Sequence, residues 1–166
     1  RVLSREDPAI GSALTDYLRA EGIDVRTEST VGRVDRAGRY RIQVSHNGQA
    51  EVLEADQILV ATGRRPRTAG FGLDTIGVAL GMQGQHMETS VPGVYAAGDV
   101  VGEPMFVYVA AYGGALAAEN ALTGNTRTLD LTAVPAVTFT DPAVATVGIT
   151  EAQARAFYAV HAERGF

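Results

Sequence analysis

The sequence predicts an α/β fold, and three observations predict it. An amphipathic helical pattern stops at a glycine and runs into a short β segment through the joint EGIDV (21–25). A continuous apolar run, QILVA (57–61), has the length and composition of a strand buried on both faces, as parallel sheets require. A second, longer helical pattern follows a small-residue β segment further on.

The elements follow in order. Asp7-Pro8 opens a helix, because Asp caps an N-terminus well and Pro suits the first helical position. Ile10, Leu14, Tyr17 and Leu18 then form one apolar stripe, and Gly22 stops the helix. Ile23–Arg26 reads as a short strand. Thr30–Arg36 is the next, turning at Ala37-Gly38. Tyr40, Ile42 and Val44 alternate with polar residues, the pattern of a half-buried strand. His46-Asn47-Gly48 is a hairpin turn, since Asn-Gly tolerates positive φ, and Val52 and Leu53 lie on the return strand. Between Thr68 and Thr126 there are five acids and no Arg, which marks a different segment. It holds a short strand at Val94–Ala97 and a helix from Met105 to Leu122 with Pro104 at its start. Gly113 and Gly114 lie inside that helix, each costing about 1 kcal/mol against Ala, which predicts close packing on another backbone. Asp130–Pro135 is a linker. Ala136–Thr140 and Ala143–Val147 pair around Asp141-Pro142. Thr150-Glu151-Ala152-Gln153 is a capping box that opens a last helix.

Composition excludes several chemistries. The chain has 166 residues, enough for one ordinary domain or for pieces of larger ones. It contains no Cys, so disulfides, thiolate metal sites and dithiol redox chemistry are absent from these residues. All 14 basic residues are Arg, which removes Schiff-base lysines and the P-loop. A net charge of −5 argues against nucleic acid as a partner. The longest uncharged run, 104–118, is shorter than the roughly 20 residues that span a membrane, so no membrane partner is expected. No signal peptide is visible, and the cytoplasm is the expected location. The start on Arg1 and the end on Gly165-Phe166 lead us to expect a piece of a longer protein.

No hydrolase motif, HExxH, EF-hand loop or GxGxxG is present. His46, His86 and His161 are scattered, and His46 and Asp141 read as turn residues. Tyr108 and Tyr112 lie one helical turn apart, a spacing that usually serves packing. No catalytic residue and no metal ligand is assigned. Three segments carry more. Gly63, in the run from Ala61 to Pro66, follows an apolar strand, where it is either a simple turn or a place for a ligand to approach the backbone. Gly98-Asp99 ends a small-residue strand, where Asp99 is either a cap or an acceptor for ligand hydroxyls. The helix that begins near Pro104 is either an ordinary buried helix or one whose first amides face negative charge.

Taken together, ILVATGRRPRT (58–68), TSVPGVYAAGDV (89–100), MFVYVAAYGGALAAENAL (105–122) and VPAVTFTDPAVATVGITEAQA (134–154) resemble the flavin-dependent pyridine nucleotide-disulfide oxidoreductases. FVYVAA on the helix and LDLTAVPAVTFTDPAVATVG after it are most similar to the mercuric reductase branch, with the dihydrolipoyl dehydrogenases as the alternative. A non-catalytic nucleotide-binding remnant is the third reading. The ending AFYAVHAERGF fits the pattern poorly.

The resemblance implies Rossmann-like FAD- and NAD(P)-binding segments followed by the start of an α+β dimerisation domain. Residues 1–65 would be the second half of the NAD(P)-binding domain, 66–126 the return to the FAD domain, and 133–166 the start of the dimerisation domain. It implies FAD and NADP (or NAD) as cofactors, a homodimer, and Hg(II) or a disulfide as substrate of the parent. Asp99 would hold the ribityl chain, with Gly98 beside it. The backbone of Met105, Phe106, Val107 and Tyr108 would face the flavin ring, and Gly63 and Val31 would lie on the nicotinamide side. The redox-active cysteines of the family are missing from these residues, so the chain alone is expected to be redox-inert.

Overall fold

The computed structural model describes residues 1–79 and 84–162, with the helical backbone alone at 160–162. The side chain of His161 and part of the poorly matching ending therefore lie outside the described residues. Two compact units divide the chain: Arg1–Ala61 with Pro135–Phe166, and Thr62–Val134.

In the first unit, α1 spans Pro8–Ala20, with Pro8 at its N-terminus and Gly22 at φ +88 just beyond its end. Its covered face is Gly11, Leu14 and Thr15 rather than the whole stripe, since Ile10 and Tyr17 are exposed. Gly11 has no Cβ because the carbonyl oxygen of Val2 lies where one would go. Three antiparallel strands follow, β1 (Ser29–Ala37), β2 (Arg39–His46) and β3 (Gln49–Ala55), in the order β1-β2-β3. Gly38 turns the first hairpin, and Asn47 and Gly48, at φ 50 and 78, turn the second as the Asn-Gly signal requires. The register places Ile42 opposite Val34 and Leu53, and slips between Val31 and Arg33, where Gly32 forms a bulge. Val44 is the buried centre of the sheet. β4 (Pro135–Thr138) and β5 (Val144–Val147) form a separate antiparallel hairpin. α3 (Glu151–Ala162) then starts on a reciprocal cap, Gln153 N–H to Thr150 Oγ1 at 3.3 Å and Thr150 N–H to Gln153 Oε1 at 2.8 Å.

The second unit is built on α2 (Val107–Thr123), which starts two residues later than its pattern predicted. Met87, Leu116 and Ala117 form its core, flanked by Tyr95, Ala97, Val101 and Leu129. Asn120 is fully buried and ties α2 to the chain around it. Its Nδ2 donates to the carbonyls of His86 (2.9 Å) and Arg127 (2.8 Å), and its Oδ1 accepts from Arg127 N–H (2.9 Å). A Cβ on Gly113 would stand in van der Waals contact, 3.4 Å from Met87 Cε and 3.6 Å from Ala97 Cβ. The close approach is therefore to side chains, not to a backbone, and an added Cβ on Gly114 meets only open space.

Three expected strands are not formed. Ile23–Arg26 and QILVA (57–61) are irregular, and Leu59 and Val60 are 92% and 73% exposed. Val94–Ala97 keeps one isolated antiparallel bridge, Glu88 to Tyr95. Val94–Ala97 pairs only with the short Met87–Thr89 segment, whereas for the other two the reason is that an extended segment becomes a strand only when a neighbour takes its N–H and C=O groups. Among the described residues no parallel pairing supplies that neighbour.

Candidate functional site

The residues singled out around Gly98 and α2 come together within the second unit. Gly98, at φ 83, ends the small-residue segment and precedes a short 3-10 turn, Asp99–Val101. Only glycine adopts this backbone cheaply, and a Cβ would also stand 3.4 Å from Ala110 Cβ on α2. Glycine is thus required here by the backbone conformation, with the turn in contact with α2. Phe106 is the N-cap of α2 in extended conformation and makes no side-chain cap. The positive end of the helix dipole there is left for another group. The rings of Phe106 and Tyr108 stack at 5.2 Å and 16°, and Val107 is 88% exposed.

Asp99 is held from one side. Arg64 Nη1 donates to Asp99 Oδ2 at 2.7 Å, and Arg64 Nη2 donates to the main-chain oxygen of Met105 at 3.0 Å. Among the described residues the other carboxylate oxygen, Oδ1, has no hydrogen-bond partner. The sequence singled out the loop that carries Arg64 but not Arg64 itself. Its signal lay in the Gly63-Arg64 pair, where a left-handed backbone (Gly63 φ 106) turns the next side chain toward Asp99. Arg64, Arg65, Pro66, Arg67, Asp99 and Met105 line a cleft of about 250 Å³. A neighbouring cleft of about 310 Å³ runs from Gly98 to Gly113 along α2 and is closed by Met87 and Leu129.

Two further candidates are Gly63, which precedes Arg64 in the second unit, and Val31. Gly63 has open space where a Cβ would be. Val31 belongs to the first unit, on β1 opposite Val44, and is 59% exposed. Tyr112 serves structure, its hydroxyl accepting from Asp130 N–H at 3.4 Å. His86 Nδ1 lies 2.7 Å from the carbonyl of Arg127, and His46 bonds Ser29 and Asn47 at its turn. The Asp130 carboxyl is held below its ordinary value because it accepts from the main-chain N–H and then the hydroxyl of Thr132. No group of three or more metal-binding side chains occurs among the described residues. Likewise, none of their helices is long and apolar enough to cross a membrane.

A family model for pyridine nucleotide-disulphide oxidoreductases matches residues 1–114. A mercuric reductase of Staphylococcus aureus is 45% identical over 161 residues, covering 93% of this chain and 29% of that protein. One from Shigella flexneri is 49% identical over 160 residues, covering 90% of this chain and 28% of its own length. Among solved structures, the Cu(II) complex of the HOCl-induced flavoprotein disulfide reductase RclA from Escherichia coli is similar with a TM-score of 0.77. It is 29% identical and covers 92% of this chain and 35% of that one. LpdA from Mycobacterium tuberculosis is similar with a TM-score of 0.79, 27% identity, and coverage of 91% and 34%. The chain thus spans about three tenths of the length of the curated relatives it matches.

Proposed function

The chain belongs to the pyridine nucleotide-disulphide oxidoreductase family, and from that premise we propose that it is part of an FAD-dependent NAD(P)H oxidoreductase, a cytoplasmic, homodimeric mercuric reductase. In this reading residues 1–65 complete the nicotinamide-nucleotide domain, 66–126 belong to the FAD domain and 133–166 begin the dimerisation domain. Bound FAD supplies two-electron transfer from NADPH to the acceptor, through cysteines that this chain does not contain.

The observation that carries the flavin assignment is the state of Asp99. Its Oδ2 is engaged by Arg64, and its Oδ1 is left to accept from hydroxyls such as those of a ribityl chain. Gly98 shapes the turn in contact with α2, and the uncapped start of α2 at Phe106-Val107 favours negative charge beside it. This donor and acceptor set fits a flavin. Gly63 and Val31 are assigned to the nicotinamide side on the match to the family's segments. Hg(II) as the acceptor is supported by the identity to mercuric reductases, 43% with the enzyme of Bacillus cereus and 49% with that of Shigella flexneri.

The test uses the full-length protein. A carboxylate-to-hydroxyl hydrogen bond contributes about 1.5–3 kcal/mol, so Asp99→Ala weakens FAD binding roughly ten- to a hundredfold. Retention of stoichiometric yellow flavin in that variant overturns the assignment. NADPH oxidation that responds to lipoamide and not to Hg(II) would place the protein with the dihydrolipoyl dehydrogenases.

A further inference from the structure

We propose that Arg64 is the positioning residue of the flavin site, joining the Asp99 carboxylate to the entry of α2 through one guanidinium. The inference rests on the flavin reading of Asp99 and extends it to the role of Arg64.

A planar guanidinium offers several donors in a fixed fork, so two nitrogens on two acceptors set the distance between those acceptors. Here Nη1 is 2.7 Å from Asp99 Oδ2 and Nη2 is 3.0 Å from the carbonyl oxygen of Met105. The partners lie 35 and 41 residues away along the chain, so the contact joins segments that local folding does not. One partner is the carboxylate assigned to the ribityl chain. The other is the residue just before Phe106, the N-cap of α2. The side chains of Arg64 and Asp99 are 64% and 49% exposed. An ion pair that open to water contributes little to folding, so stability does not account for the arrangement. Orientation does. With Oδ2 occupied, the carboxylate cannot rotate freely, and Oδ1 is left facing a ligand. The cation also offsets the Asp99 charge, which would otherwise oppose added electron density on a flavin nearby.

Lysine cannot replace this arrangement, because an ammonium is a point charge without the fork. The experiment is a double-mutant cycle in the full-length flavoprotein, read by FAD dissociation constant and by the shape of the visible flavin band. Arg64→Met is expected to weaken FAD roughly three- to tenfold and to alter the band, with Arg64→Lys between it and the parent. If Arg64 acts through Asp99, the pair Arg64→Met/Asp99→Ala binds FAD no worse than Asp99→Ala alone. Additive losses overturn the inference, since Arg64 would then act independently. Normal FAD affinity and spectrum in Arg64→Met overturn it too, even when Asp99→Ala has lost its flavin. Full flavin in Asp99→Ala is the separate result that overturns the underlying flavin reading. Should Arg64→Met fail to fold, Arg64→Lys carries the comparison: parent-like affinity and spectrum there count against the fork.

Discussion

Asn120 offers a measure of how firmly α2 is anchored. It is fully buried and its amide makes three hydrogen bonds, two to carbonyls and one from the Arg127 N–H. Asn120→Leu keeps most of the volume and removes all three. Each bond contributes about 0.5–1.5 kcal/mol net, and all three hold the segments of His86 and Arg127 to α2, so the expected loss is about 2–4 kcal/mol. Asn120→Asp separates packing from polarity. It retains an acceptor for Arg127 N–H but turns a carboxylate oxygen onto two carbonyls, so it should cost at least as much as Leu. Urea unfolding followed by far-ultraviolet circular dichroism gives the free energies, compared at a common slope. Native-state hydrogen exchange at Leu116 and Ala117 reports the loosening of α2 itself. An Asn120→Leu variant within about 0.5 kcal/mol of the parent would refute the reasoning, because surface-like tolerance is incompatible with a fully buried amide that makes three hydrogen bonds.

Other outcomes follow from the same geometry. Gly63→Val, at φ 106, should raise the Michaelis constant for NADPH, and unchanged constants would remove Gly63 from the nicotinamide side. Gly114→Ala should stabilise by up to about 1 kcal/mol, since the added methyl enters open space in a helix interior, and thermal unfolding checks it. The Asp130 carboxyl, lowered from 3.8 by the Thr132 N–H and hydroxyl, contributes stability above its unfolded value that is lost as pH falls through its lowered folded value. Asp130→Asn should therefore flatten the acid limb of a stability–pH profile, and a limb of unchanged slope would show that other carboxylates carry it.

Local signals were read correctly from the sequence. Pro8, Asn47-Gly48 and the Thr150–Gln153 box each specify their geometry within a few residues, and α1, the β2–β3 hairpin and α3 stand where those signals put them, although Asp7 occupies the N-cap position of α1 without making a side-chain cap. The segments that failed depend on partners elsewhere. QILVA has the composition of a central strand, but composition does not provide a neighbour. The site divides in the same way. Gly98 and the start of α2 announce themselves by residue type, whereas Arg64 is one of three arginines in four residues. Only the fold distinguishes it from Arg65 and Arg67, through bonds spanning 35 and 41 residues.

The irregular stretch at 57–61 bears on how this chain survives in a cell. Its backbone belongs to no helix or strand, its Leu59 and Val60 side chains are exposed, and it ends at the Ala61–Thr62 boundary between the two units. Proteases commonly take their substrates as an added strand, reading main-chain donors and acceptors together with alternate side chains. An exposed segment outside any helix or strand needs little local unfolding before it can be taken up in this way. Residues suited to the middle of a sheet thus become, when left uncovered, a point where the polypeptide is readily clipped. One cut there separates the β1–β3 meander from the Asp99 cluster.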